Sequence, residues 1–279
     1  MHTWASGTQT IDLVSALKSA ESYQRFFQIQ ADQFFPKKRI GPSSGLLKQD
    51  PILSNGLSLN SANDQAEAIN LLQWVYVDDP NYTLPPPYQR TKNFKGWIRD
   101  PSHQSCFDIR SIVLYRQARG PVTTSPNNPC VVYSSKWLDP YSNQYFYKAS
   151  DLDIDHVVPL KNAYEAGAWS WTPAKRCNYA NFLADAYHLL VVQSSENRSK
   201  GSDGPNKYLP INPQFQCFYL AIWLRIKAFW NLKIAFDEAN AIRQFFQAHS
   251  CPLNYFSLPR SEFLRIKAQV ENPPIECMR

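Results

Sequence analysis

Residues 151–201 constrain the fold more than any other stretch, because they combine two strand-like runs with a short helix. Asp153 to Val158 alternates acidic and apolar residues, as a half-buried strand does. His188 to Val192 is a second run of apolar, largely branched residues. Ser194 or Ser195 is a suitable N-cap for the segment SENRSK, which a glycine ends. The stretch therefore predicts two strands followed by a short helix that lies across them.

An acid and an imidazole stand at the end of the first of these strands. Asp155 and His156 are adjacent there, and Asn197 lies in the short helix. Asp155 and Asn197 would supply hard oxygen ligands to one divalent cation, and His156 has the ordinary pKa of a general base. Arg198 or Lys200 on the helix is placed to steady a phosphate. Each residue alone has a structural alternative, such as a hydrogen-bond acceptor or a helix cap, so the order of the set carries the hypothesis.

The same residues resemble a known family. The motifs DIDHVVPL, YAN, LLVV, NRSKG and YLP resemble the HNH (His-Me finger) endonucleases, in their secreted bacterial non-specific branch with a GmrSD C-terminal-like HNH domain. The resemblance extends from about Tyr88 to about Cys251 and takes in GWIRD, Cys106, Arg110, WLDPYS and Cys217. The sequence departs from the family at the middle position of the triad, where His188 stands instead of the common asparagine.

The resemblance implies a fold and a chemistry. The fold class is α+β, with a ββα-metal finger embedded in a mostly helical domain with short strands, plus an N-terminal helical region. The implied activity is hydrolysis of phosphodiester bonds in DNA more than in RNA, with low sequence specificity, one Mg²⁺ (or another divalent ion such as Mn²⁺), and 5′-phosphate and 3′-hydroxyl ends. Arg110 and Arg116 are candidates to bind substrate, and His188 and Glu165 are expected to be structural residues near the site.

Two other function classes remain open at this point. The chain could be a nucleic-acid-binding or scaffold protein with an inactive finger. Alternatively, it could be the nuclease payload of an antibacterial toxin, whose aromatic-rich N-terminal region docks a carbohydrate or a partner. We expect that region to be a helical cap.

Cysteine usage bears on the compartment. The six cysteines are widely spaced and contain no Cys-x-x-Cys, so disulfides are favoured over a structural zinc site. We expect a secreted or periplasmic protein whose signal peptide has been removed, since the N-terminus lacks an apolar leader segment. The pairing suggested among the fifteen possible ones is Cys106 with Cys130, Cys217 with Cys251, and Cys177 with Cys277.

The net charge of +6 is concentrated in one segment. Residues 85–150 carry 9 Lys and Arg against 3 Asp and Glu, whereas residues 1–84 carry 6 against 8. A basic segment that leads into the Asp-His strand suits a phosphate backbone, although a solvated basic face is the alternative.

Composition and pattern give the domain organisation. The 279 residues, 44% of them hydrophobic, can bury a sizeable core. We predict an N-terminal helical region and linker (1–84), an HNH-like nuclease domain (85–251) and a C-terminal extension (252–279). Helices are expected over 9–35 and 61–76, and a strand over Ile109 to Tyr115. Phe215 to Trp230 is too short and too interrupted to span a membrane, and predicts a buried helix with Arg225 and Lys227 on its polar edge.

Overall fold

The computed structural model describes residues 68–71 and 85–278, and this part of the chain is a mixed α+β fold. Its helices are α1 (Arg90–Asn93), α2 (Ile109–Gln117), α3 (Leu160–Glu165), α4 (Pro173–Ala180), α5 (Ser194–Lys200), α6 (Pro213–Trp230), α7 (Phe236–Ala248) and α8 (Arg260–Glu271). Its strands are β1 (Ala68–Asn70), β2 (Thr123–Ser125), β3 (Asn128–Asp139), β4 (Gln144–Lys148), β5 (Leu152–His156), β6 (Leu189–Gln193) and β7 (Ser257–Pro259). Short 3-10 turns connect several of them, one of which (Ala149–Asp151) joins β4 to β5.

The strands pair in small antiparallel sheets. One sheet has the order β2-β3-β4, and another pairs β5 with β6 in a register that sets His156 opposite Leu189. Helix α5 begins directly where β6 ends and packs on both strands. Gly201 ends α5 with a positive φ of 56°, a conformation that glycine adopts without the steric cost of a Cβ. The strand, strand and helix predicted for 151–201 are confirmed; we call β5, β6 and α5 the finger.

The largest buried element is α6. It is apolar nearly all round, and Trp223, Phe229 and Trp230 are fully buried. The prediction that Arg225 and Lys227 lie on a polar edge is wrong, since both are buried in ion pairs with carboxylates of neighbouring segments. A helix that is covered on every side can keep charged residues only where partners satisfy them.

A second buried cluster lies between the three-stranded sheet and the finger. Trp137 of β3 and Ile109 of α2 are fully buried in it, together with Leu152 and Val191 from the two finger strands. The indole N–H of Trp137 donates to the carbonyl oxygen of Leu114 at 2.8 Å. The cluster therefore fixes the three-stranded sheet and α2 against one side of the finger.

Two secondary-structure predictions are wrong. Ile109 to Tyr115 is helical within α2, because Asp108 caps it by accepting a hydrogen bond from the amide of Ser111 at 2.7 Å. Branched residues favour strands only weakly, and the cap outweighs them. In the predicted helix 61–76, residues Ala68–Asn70 form β1, which pairs with β7. The predicted helix over 9–35 lies outside the described residues.

All six cysteines lie in the part of the chain that the structure describes, and they form three disulfides. The bonds join Cys106 to Cys130, Cys177 to Cys277, and Cys217 to Cys251, as the sequence suggested. The bond from Cys177 attaches the C-terminal segment 252–278 to α4, and α8 packs on α4 and α6.

Candidate active site

One face of β5 carries two carboxylates. Side chains alternate along a strand, so Asp153 and Asp155 share the face that α5 covers. Asp153 accepts a hydrogen bond from the hydroxyl of Ser194 and another from the side-chain amide of Asn197, both at 3.1 Å. Ser194 thus binds Asp153 instead of capping α5, whose N-cap residue is Gln193 and has no side-chain cap bond. The helix meets the strand through the Asp153 carboxylate.

The second carboxylate is buried against a lysine. The ammonium group of Lys200 lies 2.7 Å from both oxygens of Asp155 and 2.9 Å from the carbonyl oxygen of His156. The hydroxyl of Tyr141 donates to the same carboxylate at 2.6 Å. Burial raises the pKa of Asp155 and lowers that of Lys200, and each partner opposes the effect on the other.

The burial of Lys200 corrects one expectation. Its side chain is 0% exposed and all its contacts are internal, so it does not contact a phosphate in this arrangement. Arg198, two residues earlier in α5, is exposed and lines the cleft described below. Of the two basic residues predicted to steady a phosphate, only Arg198 is accessible to one.

His156 points to the other side of the strand. Its Nε2 lies 2.9 Å from the carbonyl oxygen of Ala180, the last residue of α4. A carbonyl oxygen can only accept, so Nε2 carries the proton and Nδ1 keeps its lone pair. Trp97 stacks on the ring with centroids 5.4 Å apart and an interplanar angle of 3°. Burial lowers the pKa of His156 to about 3, so the imidazole is neutral at pH 7.

His188, the residue at the middle triad position, does not hydrogen-bond His156. Its Nε2 lies 2.7 Å from the carbonyl oxygen of Tyr179, and its ring meets that of His156 edge-on at 6.1 Å. Burial lowers the pKa of His188 to about 4. The two imidazoles are therefore held by consecutive carbonyl oxygens at the end of α4, which have no partner within the helix.

The carboxylate face opens on a cleft beside α5. The cleft is lined by Phe146, Ser150, Asp151, Asp153, Gln193, Ser194, Ser195 and Arg198. Asp153 is thus the carboxylate of β5 that borders open space, whereas Asp155 is 4% exposed. The cleft combines carboxylates, hydroxyls and one guanidinium group from α5, from β5 and from the turn that precedes β5.

The other predicted site residues lie outside this cleft. Arg110 donates to the carbonyl oxygens of Ala149 at 3.0 Å and Leu152 at 2.8 Å, so its guanidinium group fixes the turn that leads into β5. Arg116 is half-buried near the end of α2. Glu165 is exposed and lies 3.8 Å from Lys161 on α3. Of the predicted catalytic and metal-binding residues, Arg198 lines the cleft and Asn197 contacts Asp153, which borders it. Asp155 is buried against Lys200, and His156 points to the other side of β5.

The junction of β5 and α5 suits a hard cation in the chemistry of its donors. Asp153, Asp155 and Asn197 offer carboxylate and amide oxygens, which Mg²⁺ prefers. The side-chain amide of Asn197 donates to Asp153 at 3.1 Å, and its oxygen would face a metal ion only if the amide were reversed, an orientation that is an assignment. In this structure, the cation that contacts Asp155 is the ammonium group of Lys200. Within residues 68–71 and 85–278, no three His, Cys, Asp or Glu side chains cluster as a metal site.

Several residues around the site were missed by the sequence reasoning. Asp153 had a signal, because it stands two positions from Asp155 in a strand. Trp97 and Tyr141 lie in the motifs GWIRD and WLDPYS, but nothing in those motifs indicated a contact with His156 or Asp155. Residue type gives no indication that the backbone carbonyl oxygens of Tyr179 and Ala180 contact the two imidazoles.

The comparisons with known proteins identify the family of the chain. Residues 111–245 match the model of the GmrSD restriction endonucleases, C-terminal domain. An "Uncharacterized secreted protein" of Arthroderma benhamiae is 34% identical over 155 residues, which are 56% of this chain and 72% of that protein. The chain belongs to the GmrSD C-terminal domain family. No solved structure matches the chain significantly.

Membership in this family has coarse consequences for function. A family of restriction endonuclease domains suggests a nuclease, and a nuclease implies a nucleic acid substrate. HNH-like nucleases usually use a divalent metal. Among residues 68–71 and 85–278, no helix has the length and apolar character needed to span a membrane.

Proposed function

We propose that this protein is a metal-dependent endonuclease that hydrolyses phosphodiester bonds in DNA with low sequence specificity, with RNA as a second substrate to test. The observation that carries the proposal is the oxygen-rich junction of β5 and α5, where Asn197 contacts Asp153 beside an open cleft. The neutral His156 stands at the end of the same strand and faces its other side. The family of the chain supports the same reaction class.

His156 is the proposed general base. The reaction needs a group that removes a proton from water as the water attacks phosphorus. With the proton on Nε2 and a hydrogen bond to Ala180, the ring is oriented and Nδ1 is the basic atom. A protonated ring could not act in this way, and burial keeps the imidazole in its free-base form at pH 7. The same lowering of the pKa makes this imidazole a weaker proton acceptor than an ordinary histidine.

Asp155 and Asn197 are the proposed ligands of a Mg²⁺ or Mn²⁺ ion, and Asp153 is the neighbouring oxygen donor. When bound, the ion offsets the charge that develops on the phosphate and on the leaving oxygen. For Asp155 to be a ligand, the Lys200 ammonium group has to give up one of its two carboxylate contacts. Arg198 is the proposed phosphate contact, because its guanidinium group borders the cleft.

We propose that the protein acts outside the cytosol. Three disulfides within one chain are typical of oxidising compartments, and the relative from Arthroderma benhamiae is named as secreted. Low sequence specificity fits a protein without a helix-turn-helix or zinc-finger motif to read bases.

The first test incubates supercoiled plasmid DNA and a structured RNA with the purified protein. Cleavage should require Mg²⁺, stop in EDTA, and fall by about 10²- to 10⁴-fold in His156→Ala. His249→Ala is the matched control, since His249 is exposed at the end of α7 and should leave cleavage unchanged. Cleavage by His156→Ala at the parent rate would show that His156 is not the general base.

A second comparison identifies the carboxylate that binds the ion. Asp153→Asn and Asp155→Asn are assayed for cleavage across a Mg²⁺ titration. If Asp155 is the ligand, Asp155→Asn abolishes cleavage at every Mg²⁺ concentration, whereas Asp153→Asn shifts only the Mg²⁺ requirement. The reverse pattern assigns the ion to Asp153.

The Lys200 ion pair favours one alternative, a nucleic-acid-binding protein with an inactive finger. An ammonium group fixed on Asp155 satisfies that carboxylate without a metal. This alternative predicts that plasmid and RNA are bound but not cut with any divalent ion, and that EDTA leaves binding unchanged.

A further inference from the structure

Three tyrosines are exposed on the sheet formed by β2, β3 and β4. Tyr133 of β3 and Tyr147 of β4 are each 59% exposed, and Tyr145 of β4 is 46% exposed. Val131 of β3 is 44% exposed beside them. Tyrosines are intermediate in burial, and a cluster of exposed aromatic and apolar side chains marks an interaction surface.

The exposed side chains lie on one face of the sheet. Val132 and Trp137 of β3 are buried on the opposite face, where the sheet packs against α2 and the finger strands. On β4, Tyr145 and Tyr147 flank Phe146, which is half-buried. The pairing of β3 with β4 is irregular between Ser134 and Trp137, so that an advance of three residues along β3 corresponds to two residues along β4. The strands are thereby aligned so that their exposed residues form a continuous solvent-facing surface; we call Tyr133, Tyr145, Tyr147 and Lys136 the tyrosine face.

The charge of the tyrosine face is positive. Lys136 is exposed on β3, and its ammonium group lies 4.1 Å from the ring centroid of Tyr145. The only acidic residue between Gly120 and Lys148 is Asp139, which is 0% exposed. The tyrosine face therefore offers aromatic rings and a cation, and the exposed carboxylate next along the chain is Asp151, in the turn after β4. This combination complements a polyanion that also carries flat rings.

The tyrosine face is continuous with the candidate active site. Strand β4 is an edge strand, and its middle residue Phe146 lines the cleft together with Asp153 and Arg198. The same five-residue strand thus presents Tyr145 and Tyr147 on one side and borders the cleft on the other. A flexible chain bound to the tyrosines reaches the cleft by passing around one strand.

We propose that the tyrosine face binds single-stranded nucleic acid and delivers it to the cleft. Only unpaired bases present their faces for stacking on aromatic side chains, whereas a duplex presents phosphates and groove edges. The partner class rests on the proposed nuclease function, but the surface and its preference for single strands do not follow from that function.

The test measures binding without hydrolysis. The full chain is titrated in EDTA against fluorescein-labelled oligodeoxythymidylate of twenty nucleotides and against a twenty-base-pair duplex, by fluorescence anisotropy. The parent should bind the single strand more tightly than the duplex at the same salt concentration. Y145A/Y147A should weaken single-strand binding by at least about tenfold, whereas Y145F/Y147F, which keeps both rings, should bind within about twofold of the parent. Tyr133→Ala and Lys136→Gln are second arms that each should weaken binding several-fold.

The outcomes separate this surface from the nuclease activity. The proposal is overturned if the parent prefers the duplex, or if Y145A/Y147A binds the single strand as the parent does. It is also overturned if the Phe pair loses as much affinity as the Ala pair, since the rings would then not be responsible. Because no divalent ion is present, a protein that binds through the tyrosines but cuts no plasmid contradicts only the proposed catalysis.

Discussion

The finger and the helical region around α6 each bury a lysine against a carboxylate, but they use it differently. In the helical region, the Lys227 ammonium group contacts Glu238 at 3.3 Å, the side chain of Asn162 at 2.8 Å and the carbonyl oxygen of Lys233 at 2.9 Å. These contacts join α3, α6 and α7 in a closed core. In the finger, Lys200 contacts only the strand that carries Asp155 and His156.

The difference lies in what surrounds the two ion pairs. The α6 pair is enclosed by apolar side chains, and the indole N–H of Trp223 completes it by donating to Glu238. The carboxylate of the finger pair is Asp155, two residues after Asp153, which borders an open cleft. The next residue is His156, whose imidazole is neutral. A buried ion pair by itself is therefore no sign of a reactive site, and the open cleft and the free lone pair distinguish the finger.

The largest effect on stability is expected from two of the disulfides, one on α4 beside the finger and one that joins α6 to the segment after α7. The Cys177–Cys277 bond spans a sequence separation of 100, and the Cys217–Cys251 bond spans 34. Loop-closure entropy predicts losses of about 4.7 and about 3.8 kcal/mol in the free energy of unfolding when each pair is replaced by alanine. Urea unfolding of the two double variants measures the difference. Only C177A/C277A should also lower the cleavage rate, because α4 holds both imidazoles; equal loss of cleavage in both variants would contradict the comparison.

Removal of one partner from each ion pair comes next. Asp155→Ala and Glu238→Ala each leave a buried lysine without its carboxylate, which costs about 3–5 kcal/mol. Thermal unfolding should show similar losses for the two variants. At a temperature where both are folded, Asp155→Ala should cut no plasmid and Glu238→Ala should cut at nearly the parent rate. If Glu238→Ala is folded and inactive, the two pairs do not differ as proposed.

These ion pairs also show the limit of prediction from sequence. The finger follows from local patterns, because alternation in DIDH, the branched run LLVV and the glycine after SENRSK each determine a short element. Lys200 meets Asp155 across 45 positions of the chain, and no local pattern encodes that contact. Arg225 and Lys227 were assigned to a polar edge because charge usually implies solvent, whereas Asp185, Glu262 and Glu238 come from other segments to satisfy them.

Acid should destabilise the protein through the imidazoles of His156, at the end of β5, and His188, just before β6. In the unfolded chain, histidines bind a proton below about pH 6.5, whereas burial holds the pKa of His156 at about 3 and that of His188 at about 4 in the fold. The unfolded state binds more protons between these values, so the free energy of unfolding falls as the pH drops from about 6.5 towards 4. The expected loss at pH 5.5 is about 1.4 kcal/mol per histidine.

Urea unfolding at pH 7.5 and 5.5 measures this loss. His188→Phe should remove about half of the pH dependence, whatever its effect on stability at pH 7.5. His249→Gln, at the exposed end of α7, is the control and should keep all of it. A parent protein that is equally stable at both pH values would show that the histidines are not held neutral in the fold.

The smallest effect is expected at Glu165, which we first placed near the site. It lies on the surface of α3, where its carboxylate is 3.8 Å from Lys161 one helical turn away, with both side chains about half exposed. Such pairs contribute about 0.3–0.5 kcal/mol, so Glu165→Gln should change the free energy of unfolding by no more than this amount. Its cleavage rate should equal that of the parent, in contrast to Asp155→Ala. A large loss of cleavage in Glu165→Gln would show that the active site extends beyond the finger to α3. Cleavage would then depend on carboxylates on both sides of His156.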